Sequence, residues 1–560
     1  MITTRNPITL LLLVTLWLQL VWAGLKEPTT VKGKPFPSLI DATMEDISKG
    51  LDTKLFTSVD LTKAYIARIN EANGYFHAVT EMNPDALKIA AELDEERAQG
   101  KTRGPLHGIP VLLKMSMASA DSMNTTGGST LLLGAKFARD ATVVRKVREA
   151  GGVILGKANM SQWATFRSSD NSSSNGWSAH GGQCLGAYHP DMDPSGSSSG
   201  SAVATTLGLA AAALGTETDG SVILPAQTAS LVGIKPSVGL TSRFLVLPVS
   251  EHQDTVGTIA RTVKDAARLL QPIVGRDDRD NYTDAIPFEQ VATPDYERAT
   301  GNKDALRGAR LGVPTNTIAL FNYTLPDQDP VMQAFRAAVD EIQRAGAVVV
   351  EANFTMAEQW NKSKSENIVL FSDMVTALPK FLAELTVNPS GIRNLADVRR
   401  LTIEAGAKED YPARDVETWD ICLDKQGFGN DDPRALAALA EDRMLGGEGG
   451  LLGAIERHRL DAILMPTPIS RNFAAIVGAP VVTVPMGYYP ASQPVKRSPG
   501  RIGLVDTGPN IPFGLSFLGA RFTEEKLIGL AYGYEQRTNF RDKVPPMRIP
   551  KTELGDIVGF

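Results

Sequence analysis

Two serine- and glycine-rich segments, Asp193-Pro-Ser-Gly-Ser-Ser-Ser-Gly-Ser-Ala202 and Gly215-Thr-Glu-Thr-Asp-Gly-Ser-Val222, flank a continuous run of small apolar residues. Flexible Gly/Ser linkers are not embedded in apolar sequence. Here Ala202 to Leu214 is Ala-, Val- and Leu-rich, so the segments are predicted to be glycine-flanked loops packed inside a fold. That pattern offers serine hydroxyls at tight turns, an arrangement suited to acyl transfer.

The rest of the composition fits one globular unit. A chain of 560 residues with 43% hydrophobic and 21% charged residues has material for a large core and no fibrous or disordered bias. Length alone would suggest several domains. No linker-like break interrupts the Ala/Gly/Val-rich middle, however, so residues 24–560 read as a single domain. The net charge is −6 and the lysines and arginines are scattered, which argues against nucleic acid as a partner.

Residues 1–23 differ in kind. Arg5, the apolar stretch Ile8 to Val21 and the Val21-Trp22-Ala23 junction predict a secretory signal peptide, hence a secreted or secretory-lumen protein. About 14 apolar residues fall short of the roughly 20 that span a bilayer, so no stable membrane anchor is expected. Asn-x-Ser/Thr sequons stand at Asn124, Asn159, Asn171, Asn281, Asn322, Asn353 and Asn361. The first three lie beside the segments with candidate chemistry, so glycans are expected at Asn281, Asn322, Asn353 and Asn361. Cys184 and Cys422 could be bridged or be two buried thiols, and their number and spacing rule out a zinc site.

Strand and helix signals alternate. Thr57-Ser-Val-Asp60 fits a capping box, Asn83-Pro84 is expected to open a helix closing at Gly100, and Asp140 is expected to cap another running to Gly151. Ile109 to Lys114 and Val153 to Leu155 read as short buried strands. Further strands are predicted at Arg310 to Val313, Val348 to Glu351, Ala462 to Met465 and Pro480 to Pro485. Helices are predicted at Val263 to Leu270, Asp329 to Gly346 and Thr523 to Gln536. The pattern is α/β with a mixed, mostly buried sheet. The segment from about 357 to 449 reads as a helical, irregular insertion that shapes the substrate site, between core segments at about 57–275 and 455–540.

Acyl transfer needs a nucleophile, a base and donors for the oxyanion. Gly196-Ser-Ser-Ser-Gly200 matches the G-x-S-x-G elbow with Ser198 as nucleophile, but Tyr188 to Pro194 cannot be the buried strand that an elbow follows. His107, His180, His189 and His252 read as hydrogen-bonded structural residues. A lysine leaving an apolar strand, as Lys114 does, would be desolvated, and desolvation lowers its pKa until it can accept a proton near neutrality.

Gly104-Pro-Leu-His-Gly-Ile-Pro-Val-Leu-Leu-Lys114, Gly196 to Ser201, Gly215 to Pro225, Val232-Gly-Ile-Lys-Pro236, Asp254-Thr-Val-Gly257 and Ala260-Arg-Thr-Val263 occur in this order. With Leu464-Met-Pro-Thr467, Gly478-Ala-Pro480 and Pro512-Phe-Gly-Leu-Ser516, the chain resembles the amidase signature family from about Thr57 to Gln536. Arg167-Ser-Ser169, Gly176 to Gln183 and Thr216-Glu-Thr-Asp-Gly-Ser221 are similar to its peptide amidase subgroup and related fungal enzymes. The resemblance implies a large α/β fold with a central mixed, twisted sheet covered by helices on both faces. It implies hydrolysis of a carboxamide C–N bond in a small-molecule or peptide-like amide, with no cofactor or metal; the sequence does not choose between a monomer and a homodimer.

Carried over residue by residue, the resemblance implies a triad of Ser221 as acyl-forming nucleophile, Ser197 as bridging serine after a cis peptide bond, and Lys114 as base. The resemblance also implies which serine bridges, because the 24-residue separation of Ser197 and Ser221 agrees with the family's spacing and so selects Ser197 over Ser195, Ser198 and Ser199. Backbone N–H groups of Thr218, Asp219, Gly220 and Ser221 are the expected oxyanion hole. Departures from the family pattern are Met115-Ser-Met117 after the lysine, Asp219 for a commoner glycine, Ile223 for an arginine, and Pro194-Ser195 for a glycine pair. Two alternatives stand beside this reading: a non-hydrolytic or biosynthetic family member acting on a specialised amide or ester, and a component of a tRNA-dependent amidotransferase.

Overall fold

The computed structural model describes residues 30–31, 34–169, 172–289, 292–321, 326, 328–498 and 503–558. The expected signal segment and the sequons at Asn171 and Asn322 lie outside these residues.

Eleven strands build the central sheet. In chain order they are β1 (Val79–Met82), β2 (Pro110–Lys114), β3 (Val153–Ala158), β4 (Ala212–Glu217), β5 (Val232–Lys235), β6 (Thr255–Ala260), β7 (Arg310–Val313), β8 (Val348–Glu351), β9 (Ala462–Pro466), β10 (Val481–Tyr488) and β11 (Pro512–Leu518). Across the sheet they run β8-β7-β9-β11-β10-β5-β6-β4-β2-β3-β1. The pairs β2–β3, β2–β4, β7–β8 and β7–β9 are parallel and the others antiparallel. This is the mixed α/β sheet that the alternating signals predict, flanked by helices. Every residue of β2, β3, β5, β6, β9 and β11 is buried, which explains why β2, β3 and β9 read as short apolar runs rather than as alternating ones.

Local start signals hold where nothing competes for them. Helix α1 (Ser58–Phe76) has Thr57 as N-cap, with the reciprocal Thr57–Asp60 capping box. Two expected starts are displaced. The helix after Pro84 spans Ala86–Ala98, and Asn83 Oδ1 accepts from Asp85 N–H in the turn before it. Helix α2 (Thr142–Glu149) has Ala141 at its N-cap, because the Asp140 carboxylate instead accepts from Ala120 N–H at 2.7 Å and pairs with Arg148 at 3.0 Å.

Small residues place the serine loops. Helix α3 (Ser199–Thr206) is buried along its whole length, and a Cβ on Gly200 would lie 2.2 Å from Ala78 O and 2.5 Å from Asn159 N. Only glycine lets α3 sit this close to the chain leaving β3. Residues 357–449 are mostly helical, as expected. Their longest element, α4 (Ser365–Ala383), packs against α5 (Pro433–Gly446). The insertion is tied to the core by buried Arg167, whose guanidinium donates to the carbonyls of Glu409 and Arg414, while the Glu409 carboxylate accepts from Ser129, Thr130 and Gln162. Cys184 and Cys422 are both buried and free. Among the described residues no helix is long and apolar enough to cross a membrane.

Candidate active site

Lys114 is the last residue of β2, a central strand between β3 and β4, so its amine emerges where the neighbouring strands give way to loops. The side chain is fully buried. Its Nζ lies 2.7 Å from Ser197 Oγ, 2.7 Å from Thr216 Oγ1 and 3.1 Å from Thr216 O. Burial pushes its pKa down to about 7, although the charges of Asp254 and Glu217 pull the other way. A neutral amine has two protons and one lone pair. The two Thr216 oxygens can take the protons, which leaves the lone pair for the Ser197 hydroxyl.

Ser197 follows a cis peptide bond from Gly196 and is completely buried. Its carbonyl accepts from Ser161 N–H at 3.1 Å, and the next amide, Ser198 N–H, donates to Ser221 O at 3.1 Å. That bond joins the two serine loops. Ser221 sits in the turn between β4 and the helix Ile223–Thr228, half-buried on a cavity of about 760 Å³. Ser198 is no nucleophile elbow: no strand precedes it, and its Oγ donates to Thr216 O (3.2 Å) and accepts from Thr216 N–H (3.3 Å).

The turn carrying Ser221 is wrapped around a carboxylate. Buried Glu217 accepts from Gly220 N–H at 3.0 Å through Oε1, and from Val222 N–H at 2.7 Å and Ile223 N–H at 3.0 Å through Oε2. Burial raises its pKa, while the charge of buried Lys235 on β5 favours the ionised form. The Gly220 N–H, one of the four expected oxyanion donors, is thus already committed to Glu217. Glu217→Gln replaces one acceptor oxygen by a donor facing donors. It is expected to cost about 2 kcal/mol of stability, as for loss of a charged hydrogen bond, and to lower kcat more than it raises KM. A thermal melt and steady-state kinetics check both.

The side chains around this turn have defined tasks. Thr218 Oγ1 donates to Asp254 at 2.5 Å, and Asp254 also accepts from the amides of Val249 and Ser250. Asp219 pairs with Arg471 at 3.0 Å, and both line the cavity. The histidines are occupied elsewhere. His107 lies against Leu93 O, His180 against Thr126, His189 against Pro190 O, and His252 against Asp373. Thr216, Glu217 and Arg471 went unassigned in the sequence. The first two stand inside the motif that carries Ser221, while Arg471 is brought to Asp219 from 252 residues away. Of the described sequons expected to be glycosylated, Asn281 and Asn361 are exposed and Asn353 is half-buried; Asn159, set aside from that group, is buried.

The Amidase family profile matches residues 60–528. A protein of Arthroderma benhamiae named "Putative amidase" is 47% identical over 93% of this chain and 90% of its own. The native peptide amidase of Stenotrophomonas maltophilia, a solved structure, is 37% identical with a TM-score of 0.78, covering 92% of this chain and 100% of that one. A component of the glutamyl-tRNA(Gln) amidotransferase of Moorella thermoacetica is 29% identical over 90% of this chain and 99% of its own. With the large mixed sheet and the site it carries, these matches show that the chain belongs to the amidase family and is an amidase, a hydrolase of amides.

Proposed function

We propose that the chain is a secreted serine amidase that cleaves the C–N bond of a linear or peptide-like amide through an acyl-enzyme on Ser221. The observation that carries this reading is the 2.7 Å contact between the buried Lys114 amine and Ser197 Oγ, beside the loop that bears Ser221. Neutral Lys114 takes the proton of Ser197, Ser197 takes that of Ser221, and Ser221 Oγ attacks the amide carbonyl. The amides of Thr218, Asp219 and Ser221 are the candidate donors to the resulting oxyanion, each such donor contributing roughly 3 kcal/mol. The C–N bond then breaks, the electron pair stays on nitrogen, and the relay returns its proton so that ammonia or an amine leaves. Water attacks the acyl-enzyme by the same route.

Secretion rests on the pattern of residues 1–23. A peptide-like acyl group is favoured by the relation to the peptide amidase and by a cavity with polar and apolar walls, including Asn175, Gln227, Leu224 and Phe513. The test is ammonia release from aliphatic, aromatic and peptidyl amides, with labelling by a serine-reactive fluorophosphonate mapped by mass spectrometry. Label on Ser221 together with ammonia release is expected. Label on another serine, or no hydrolysis of any amide, overturns the assignment.

A further inference from the structure

Two cavities adjoin the residues assigned to the relay and the turn that carries Ser221. The 760 Å³ cavity is bordered by Ser221. A second, of about 330 Å³, is bordered by Thr216, the residue that holds Lys114, and by Asp254. Among the described residues, Ser221 lines the first and not the second, and Thr216 the second and not the first. Ala164, Thr218 and Val249 border both, so the wall between the cavities contains a residue of the candidate oxyanion loop.

We infer that the second cavity receives the amine half of the substrate, an aryl or alkyl substituent on the amide nitrogen, so that the enzyme accepts secondary amides as well as primary ones. This rests on the acyl-enzyme reading. The acyl carbon bonded to Ser221 stays in the first cavity. The nitrogen must meet the proton returned by Ser197 and Lys114, and any substituent on it points to the side of Thr216. When the C–N bond of the tetrahedral adduct breaks, the nitrogen keeps the electron pair, takes that proton and departs as a neutral amine into the second cavity.

The lining matches a neutral apolar group. Phe244, Leu245, Val246, Leu247, Ala377 and Phe381 form its body. The three cations that line it are compensated in place: Arg243 donates to both oxygens of Asp280, Arg279 donates to Asp277 at 3.1 Å, and Lys380 pairs with Glu251 at 3.3 Å. None is left to hold a carboxylate. One residue of the dividing wall has an unusual backbone: Ala164 is the middle of three successive non-glycine residues in the left-handed region, Trp163, Ala164 and Thr165, with φ of 51°, 58° and 71°. Such residues cost roughly 1–3 kcal/mol each and persist where the surroundings fix them, as at ligand clamps. Here Trp163 stacks edge-on against Trp419 at 5.9 Å, and Trp419 Nε1 donates to Phe166 O.

The experiment compares a primary amide with the anilide of the same acid in the full chain, in Ala377→Phe and in Lys380→Trp. Ala377 lines the second cavity and not the first, and Lys380 is an exposed rim position whose exchange keeps the test valid if the buried variant does not fold. Wild type is expected to hydrolyse the anilide. The ratio of anilide to primary-amide kcat/KM should fall at least about tenfold in Ala377→Phe, the discrimination a filled apolar pocket gives, and in the same direction by less in Lys380→Trp. An unchanged ratio in the folded variants, or no anilide hydrolysis by a wild type that releases ammonia from the primary amide, overturns the inference. Failure of the underlying reading looks different: neither substrate is turned over and Ser221 is not labelled.

Discussion

Ser221→Ala is expected to lower kcat for amide hydrolysis by about 10⁴-fold or more, because members of a proton relay act as a unit and the nucleophile has no substitute within it. The fold should not register the change. The turn is held by the Glu217 carboxylate, by Ser198 N–H on Ser221 O, and by Leu224 N–H on Gly220 O, and none of these bonds uses the Ser221 hydroxyl. Removing a half-buried hydroxyl that faces a cavity should shift stability by no more than about 0.5 kcal/mol. Ser198→Ala is the matched control. Its hydroxyl bridges the backbone of Thr216, so its loss should cost on the order of 1 kcal/mol of stability while amide turnover persists. Ammonia release and a thermal melt on the two variants decide between the neighbouring serines. Activity near wild type in Ser221→Ala would remove the acyl-enzyme.

What could be read from the sequence, and what could not, follows from the range of the interactions. The strand ending in Lys114 was legible because burial on both faces turns it into a plain apolar run, and a lysine closing such a run has few places to go. The Thr57 capping box was legible because its partners are three residues apart. Asp140 and Pro84 carry equally good local signals and mark helix starts only approximately. In the first case the carboxylate is claimed by Ala120 and Arg148, a tertiary competition no local pattern encodes. The grip of Glu217 on three amides depends on a turn whose shape is fixed only once β4 and the following helix are in place. Arg471 with Asp219, and Arg167 with the segment around Glu409, join parts of the chain more than 200 residues apart. The site was therefore legible as far as its motifs reach. The second cavity was not, because apart from Ala164, Thr216 and Thr218 its walls come from residues 243–255, 279–282 and 377–384, which lie far along the chain from the motif that carries the nucleophile.

Lys114 is expected to set the acid limb of the activity. Only the neutral amine has a lone pair for the Ser197 proton, and burial holds the pKa at about 7. Thus kcat/KM should rise about tenfold per pH unit below that value and level off above it. Lys114→Arg keeps the charge at every accessible pH, and Lys114→Met has no basic group. Both should lose about 10³-fold or more in kcat, together with the limb near pH 7. The same lowered pKa makes a stability prediction of definite sign. Between about 7 and the ordinary lysine value of 10.5 the unfolded chain holds a proton on this side chain that the folded chain does not, so stability rises with pH across that window. Lys114→Met removes this one proton from the balance. The stability difference, wild type minus variant, should therefore grow with a slope approaching about 1.4 kcal/mol per pH unit inside the window and flatten on either side of it. Denaturant unfolding of both proteins from pH 6 to 10 measures that slope. Parallel curves would mean that Lys114 is already charged in the folded protein, and a charged amine has no lone pair with which to start the relay.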